Sequence, residues 1–235
     1  MSEGEKPANV TGADVKYATV DGTDVSGYYV TPTDKADAPS VIMIHEWWGL
    51  NDNIKAMADK LAAQGYNVLA VDLYRGTSAT TPDDAMKTMQ AAMAKPELIQ
   101  DNLKQSIAFL ESKGATKIGV IGWCFGGGWS LQTGLIAPDK INAMVIYYGR
   151  VETDKTKLAA LKMPILGLFA AEDKGIPVAG VKEFESALVD LGANAEIKIY
   201  PGVDHAFANP SGNNYSEEAA QDAWKKTLAF FQSNL

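Results

Sequence analysis

Short runs of mostly apolar residues alternate along this chain with longer stretches that have the apolar spacing of helices. The apolar runs lie at residues 41–44, 67–71, 117–121, 143–149, 164–170 and 195–200. Each run is followed, after a loop, by a stretch with helical periodicity. Strands that alternate with helices form parallel sheets, and continuously apolar strands are covered on both faces. The pattern therefore predicts an α/β fold with a mainly parallel central sheet and helices on both faces.

The N-terminal part of the chain has a different pattern. Residues 15–20 and 25–30 alternate apolar with polar side chains, and Asp21-Gly22 joins them. Two such runs around Asp-Gly predict an antiparallel hairpin. We expect residues 1–14 to be a flexible tail and residues 15–235 to form one domain, because no repeat or linker divides them.

The segment Gly-Trp-Cys-Phe-Gly-Gly at residues 122–127 indicates a catalytic nucleophile. It follows the apolar run 117–121 and precedes residues 128–135, which can form a helix. Strand, sharp turn and helix make up a nucleophile elbow, here with Cys124 where the G-x-S-x-G pattern has serine. Glycines suit the crowded turn, and the start of a helix favours a thiolate. A lone cysteine is also commonly a small buried apolar residue, so its role depends on its partners.

Candidate partners of Cys124 follow other strands. Sites in open α/β sheets lie beyond the carboxyl ends of the strands, and Glu46 and Arg75 also fall at such ends. The order nucleophile, acid, histidine along an α/β hydrolase is matched by Cys124, Asp173 and His205. His205 would take the thiol proton and later give it to the leaving group, while Asp173 would orient its ring. Two neighbouring acids are alternatives to Asp173, namely Glu172 and Asp204.

Ester hydrolysis also needs backbone N–H donors for the oxyanion. One expected donor is the N–H of Phe125, and the other is the N–H of Trp47, in the loop after the run 41–44. Adjacent tryptophans at a strand end more often line a pocket than face solvent, so Trp47 and Trp48 are expected at the substrate. We predict that further substrate contacts come from Arg75, Tyr148, Phe207 and Asn209.

Six motifs together resemble those of the dienelactone hydrolase family, the cysteine branch of the α/β hydrolases. They are His-Glu-Trp-Trp-Gly-Leu-Asn at 45–51, Asp-Leu-Tyr at 72–74, Gly-Trp-Cys-Phe-Gly-Gly at 122–127, Tyr-Tyr-Gly at 147–149, Glu-Asp at 172–173 and His-Ala-Phe at 205–207. The resemblance covers nearly the whole chain and implies the α/β-hydrolase fold. It implies Cys124 as nucleophile, His205 as base and Asp173 as the acid that orients it. It also implies that Glu46 lies against the thiol and helps to ionise it when substrate arrives.

The resemblance also implies what this chain acts on. Family members that act on dienelactones bind the substrate carboxylate with two arginines, but here Asn209 stands at one position and Lys87-Thr88 in the region of the other. Losing bidentate guanidinium contacts weakens carboxylate binding. We therefore expect a hydrolase of small carboxylic esters or lactones that uses no cofactor. The alternatives are a non-catalytic or redox-sensing protein of the same fold, and a thioester hydrolase or acyltransferase.

Charge and composition limit the partners and the compartment. With 21 Lys and Arg against 29 Asp and Glu, the net charge is −8, which argues against nucleic acid and anionic membranes. Two histidines and one cysteine give no metal-ligand pattern and no intrachain disulfide. No apolar run reaches the roughly 18 residues of a membrane span, and the N-terminus lacks the apolar region of a signal peptide. We expect a cytoplasmic monomer, with a trimmed secreted form as the alternative location.

Overall fold

In a computed structural model, the backbone forms two compact units, which are described separately. The first unit ends at residue 118, and the second begins at residue 119. The structure describes residue 7, residues 9–35 and residues 37–235. The predicted tail over residues 1–14 therefore lies partly outside the described residues. One domain over residues 15–235 stays a prediction.

Four strands and three helices make up the described part of the first unit. They are β1 (Val10–Val20), β2 (Thr23–Pro32), β3 (Ser40–Ile44), α1 (Asp52–Ala62), β4 (Asn67–Val71), α2 (Pro82–Met93) and α3 (Pro96–Ser112). The strands lie in the order β1-β2-β4-β3, with β3 parallel to β4 and the other pairs antiparallel. Every residue of β3 is buried, as its continuous apolar run predicts for a strand covered on both faces.

The predicted hairpin at Asp21-Gly22 is confirmed. Both residues have positive φ, 50° and 71°, which is the requirement of the tight turns that match the twist of paired strands. The first strand begins at Val10, inside the predicted tail, because Val10 pairs with Pro32 and the pairing runs the full length of β2. A shift of register next to Tyr17 is a bulge, and the Tyr17 side chain is buried.

The helices α1 and α2 each begin at a polar side chain that caps the first turn. Asn51 accepts a hydrogen bond from the N–H of Ile54 at 3.1 Å at the start of α1. Thr81 accepts one from the N–H of Asp84 at the start of α2. These caps satisfy N–H groups that the first helical turn leaves without an intrahelical acceptor. Asparagine and threonine are favoured at this position, so both helix starts have a local signal in the sequence.

The second unit consists of parallel strands with intervening helices. Its elements are β5 (Ile118–Trp123, whose first residue closes the first unit), α4 (Phe125–Ile136), β6 (Ala143–Tyr147), α5 (Lys155–Leu158), β7 (Ile165–Ala170), α6 (Val178–Asp190), β8 (Ala195–Tyr200) and α7 (Glu217–Asn234). The strands pair in chain order, and all are parallel. Residues of β5, β6 and β7 are all buried, so the prediction of parallel, doubly covered strands is confirmed here.

Candidate active site

Cys124 occupies the single residue between the end of β5 and the start of α4. Its φ is 56° and its ψ is −115°, a backbone conformation that residues other than glycine rarely adopt. The backbone is held there because the Cys124 N–H donates to the carbonyl of Tyr147 at 3.0 Å, and the Cys124 carbonyl accepts from the N–H of Gly128 at 3.2 Å. Strained residues of this kind persist where surrounding structure fixes them, which is common at functional sites.

Glycines around Cys124 allow the turn to close. A Cβ on Gly122 would lie 2.2 Å from the carbonyl oxygen of Gly126, and one on Gly127 would lie 2.4 Å from that of Tyr147. Neither position has room for a methyl group. The same close approach lets α4 begin at Phe125, earlier than the sequence predicts, although its first turn contains three glycines of low helix propensity.

His205 and Asp173 form a close pair after β8 and β7. The Nδ1 of His205 lies 2.6 Å from Oδ2 of Asp173. The other oxygen of this carboxylate accepts from the N–H groups of Gly175 and Ile176 at 2.8 and 2.9 Å. The Asp173 side chain is 1% exposed and that of His205 is 32% exposed, so a fixed carboxylate orients a ring that solvent and substrate can reach.

Of the three acids near this site in the sequence, only Asp173 holds the ring. Glu172 is exposed. Asp204 accepts a hydrogen bond from the backbone N–H of His205 at 2.6 Å, which is a contact to the chain and not to the imidazole. The carboxylate that orients the His205 ring is therefore that of Asp173.

The charges of the site stabilise the imidazolium form of His205. Burial lowers the pKa of His205, but hydrogen bonds to Asp173 and Cys124, together with the charges of both, raise it to about 10 from 6.5. Burial raises the pKa of Asp173, but the hydrogen bonds from His205, Ile176 and Gly175 and the charge of His205 outweigh it and leave that pKa below 3.8. The arrangement favours a proton on the ring and a carboxylate behind it.

Two further side chains support the His205 loop. Asn214 donates from Nδ2 to the backbone carbonyl of His205 at 2.9 Å. The ring of Tyr148 lies 5.2 Å from that of His205 and 5.3 Å from that of Phe207, in edge-to-face contact with both. Asn214 lies outside the six motifs quoted above, so the sequence does not reveal this contact with His205.

Three residues that are predicted to contact the substrate are buried in the structure. Tyr148 and Phe207 have no exposed surface, and Asn209 is buried. The Asn209 Oδ1 accepts from the N–H and the hydroxyl of Ser211 at 2.9 and 2.7 Å, which closes a local turn. Substrate contact by these residues stays a prediction.

The first unit contains the other predicted residues at its strand ends. Glu46 follows β3 and is 5% exposed. The rings of Trp47 and Trp48, both half-buried, lie 5.0 Å apart. Arg75 follows β4 with a φ of 54° and lines a cavity of about 510 Å³ together with two lysines, Lys87 and Lys95. The roles predicted for these residues stay predictions.

A thiol, an imidazole and a carboxylate, each in contact with the next, are the parts of a nucleophilic triad. In such a triad the base activates the nucleophile and the acid orients the base.

Among the described residues, no group of three or more His, Cys, Asp or Glu side chains is arranged to hold a metal ion. The described helices are all too short or too polar to cross a bilayer.

A family model described as "Dienelactone hydrolase family" matches residues 25–235. The chain belongs to the dienelactone hydrolase family. The family prediction, the α/β-hydrolase fold and the class of carboxylic ester hydrolase are thereby confirmed.

Known relatives of the family support this assignment over nearly full length. "Protein usf" of Aquifex pyrophilus is 37% identical, with 91% of this chain and 95% of the relative covered. A "Putative carboxymethylenebutenolidase" of Saccharolobus solfataricus is 32% identical, with 90% and 95% covered. A crystal structure of a "Putative Dienelactone Hydrolase" from Klebsiella pneumoniae has a TM-score of 0.84 and 26% identity, with 95% and 98% covered.

Proposed function

We propose that this member of the dienelactone hydrolase family hydrolyses small carboxylic esters or lactones, with Cys124 as the nucleophile. The observation that carries the proposal is the hydrogen-bonded series from the Cys124 side chain through His205 to Asp173. Because Nδ1 of His205 donates to Asp173, Nε2 is the nitrogen that accepts the thiol proton. The thiol lies at a nucleophile elbow, and in the α/β-hydrolase fold this is the position from which the attack on a carbonyl starts.

In the proposed reaction, the Cys124 thiolate attacks the substrate carbonyl and His205 keeps the proton on Nε2. The tetrahedral intermediate collapses to a thioester when His205 gives this proton to the leaving alkoxide. His205 then takes a proton from water, and the resulting hydroxide attacks the thioester. The carboxylic acid leaves, and the thiol is restored with its proton. For a lactone, the released hydroxyl and the acid stay in one molecule.

We assign the oxyanion to the backbone N–H of Phe125, in the first turn of α4, and to that of Trp47, on the resemblance described above. Preorganised N–H donors of this kind typically contribute about 3 kcal/mol each to the transition state. Glu46 has the role of helping the thiol ionise when substrate binds. A carboxylate beside a thiol disfavours the thiolate, so this role requires Glu46 to move or to exchange a proton.

For the substrate, we propose small esters or lactones in preference to dienelactone itself. Asn209 stands where the family has an arginine and is engaged in its own turn. One cavity of the first unit is lined by Arg75, Lys87 and Lys95 and also by Asp84. We propose Arg75 as the contact for an ester that does carry an acidic group. We further propose that the protein is cytoplasmic, since a catalytic thiol stays reduced in that compartment. We also propose that it is a monomer.

The proposal is tested by turnover of p-nitrophenyl acetate by the wild type and by Cys124→Ala. The expected result is loss of turnover in the variant. A matched control is Ser130→Ala, a fully buried residue of the same helix α4, which should keep most activity. Equal rates in the wild type and Cys124→Ala would refute the nucleophile. A panel of neutral esters, both dienelactone isomers and acyl thioesters then identifies the substrate class.

A further inference from the structure

His45 is the buried residue that joins two loops of the first unit. It follows β3 directly and has no exposed surface. Its Nδ1 lies 2.6 Å from the carbonyl oxygen of Glu46, and its Nε2 lies 3.1 Å from the backbone nitrogen of Leu73, after β4. The ring also contacts the ring of Tyr74 at 4.7 Å. A short side chain thus ties the loop after one strand to the loop after its neighbour.

The two hydrogen bonds fix the tautomer of His45. A backbone N–H is always a donor, so Nε2 must accept from Leu73. The proton of the neutral ring is then on Nδ1, where it donates to the carbonyl of Glu46. Burial lowers the pKa of His45, although the charge of Asp72 and the bond to Glu46 oppose this. The lowered pKa favours the neutral ring, in which both hydrogen bonds are made.

The carbonyl of Glu46 belongs to the same peptide group as the N–H of Trp47. It accepts from His45 and also from the N–H of Gly49 at 3.3 Å. The peptide group is planar, and the described chain has no cis peptide. In a trans peptide the N–H points to the side opposite the carbonyl. Fixing the carbonyl from one side therefore fixes the direction of the Trp47 N–H on the other.

The second loop is itself rigid, so it provides an anchor for His45. The carboxylate of Asp72 accepts from the N–H groups of Tyr74 and Gly76. The N–H of Asp72 donates to the hydroxyl of Tyr17 at 3.1 Å, and that hydroxyl donates to the side-chain oxygen of Asn102 at 2.6 Å. The side chains of Tyr17, Asp72 and Asn102 are buried. Buried hydrogen bonds therefore hold the loop that carries Leu73.

We propose that His45 is a positioning residue that orients the Glu46–Trp47 peptide, so that the Trp47 N–H is preorganised as an oxyanion donor. The inference rests on the proposed function, which makes Trp47 a donor. It adds a fully buried residue that acts through the plane of one peptide group. Its loss should weaken binding of the transition state more than binding of the substrate, because the negative charge on oxygen develops only in the transition state.

Two near-isosteric variants separate the bonds of His45. In His45→Asn, the side-chain amide can replace Nδ1 and donate to Glu46, but it does not reach Leu73. In His45→Gln, the side-chain oxygen can replace Nε2 and accept from Leu73, but the donor to Glu46 is lost. We expect kcat for p-nitrophenyl acetate to fall about 10- to 100-fold in His45→Gln, with little change in KM. His45→Asn should recover most of this loss.

The control is Tyr28→Phe, which removes another buried hydrogen bond of the same unit, 2.8 Å long, from Tyr28 to Asp59. It should lower stability while leaving kcat unchanged. Comparable kcat in His45→Gln and the wild type, or a better kcat in His45→Gln than in His45→Asn, overturns the inference. If His45→Gln does not fold, His45→Ala, which also lacks the donor to Glu46, should show the same loss of kcat, and a wild-type kcat in it overturns the inference. Activity that survives in Cys124→Ala would instead refute the proposed function, so the two failures are distinguishable.

Discussion

Replacing Asp173 by asparagine removes the negative charge behind His205 while nearly keeping the shape of the side chain. In the wild type the pKa of His205 is raised from 6.5 to about 10. This difference corresponds to on the order of 5 kcal/mol in favour of the imidazolium, at about 1.4 kcal/mol for each pH unit. The hydrogen bonds and charges of Asp173 and Cys124 together raise this pKa, against the effect of burial. An opposite charge at this distance typically accounts for about 1–3 pH units, so we expect the pKa of His205 to fall by that amount in Asp173→Asn.

Activity should fall as well, for a second reason. In Asp173→Asn, the amide of the new side chain would donate to Nδ1 of His205 and so place the ring proton on Nε2. That tautomer has no lone pair on Nε2 for the thiol proton. We expect kcat/KM for p-nitrophenyl acetate to fall by about 10²- to 10⁴-fold.

The chain has only two histidines, so the assay is direct. NMR titration of protein labelled in its histidine rings should give two signals, one from His205 that titrates high and one from His45 that titrates below 6.5. The control is Asp204→Asn, which makes the same charge change beside His205 but contacts its backbone N–H. An unchanged His205 titration in Asp173→Asn, or an equal shift in Asp204→Asn, would refute the reasoning.

The same pair makes stability depend on pH. The pKa of His205 is raised, so its contribution is fully present below 6.5 and is lost as pH rises through about 10. The pKa of Asp173 is lowered, so its contribution is present above 3.8 and is lost as pH falls through the lowered value. The difference in unfolding free energy between the wild type and Asp173→Asn should therefore be largest between about pH 4 and 6.5.

Three other substitutions test separate features of the molecule. Gly122→Ala places a Cβ 2.2 Å from the carbonyl of Gly126, so it should lower the unfolding free energy by about 2 kcal/mol or more in urea denaturation. Asn214→Ala removes the hydrogen bond to the carbonyl of His205 and should reduce kcat about fivefold without a change in the fold by circular dichroism. Arg75→Gln should raise KM about 10-fold for esters with a carboxylate and leave neutral esters unchanged, and equal effects on both would exclude a charge contact.

The sequence predicts much of this fold because its local signals agree. Apolar runs, the caps Asn51 and Thr81, and the turn at Asp21-Gly22 each determine structure within a few residues. The early part of β1 lies outside the predicted strand because its order comes from pairing with β2, to which the sequence gives no local clue. The start of α4 at Phe125 escapes prediction because three glycines disfavour a helix locally, whereas close packing against the carbonyl of Tyr147 requires glycine at position 127.

The candidate site is predictable to a different degree. Cys124, Asp173 and His205 follow strands, so chain order and topology suggest that they meet. The choice of Asp173 over Glu172 and Asp204 depends on which carboxylate reaches Nδ1, and only the geometry of the loops decides this. The supporting side chains of Asn214 and His45 act on backbone groups. His45 stands in one of the quoted motifs, but a motif does not show which backbone group a side chain contacts, because that depends on a backbone position that the fold sets.

The central claim is that the acyl group of the substrate passes through Cys124. Mass spectrometry of the enzyme, quenched with acid during turnover of p-nitrophenyl acetate and digested, tests this directly. We expect one acetyl group on the peptide that contains Cys124, formed and lost at rates compatible with turnover. Turnover with Cys124 unmodified, or with the acetyl group on another residue, would contradict the claim.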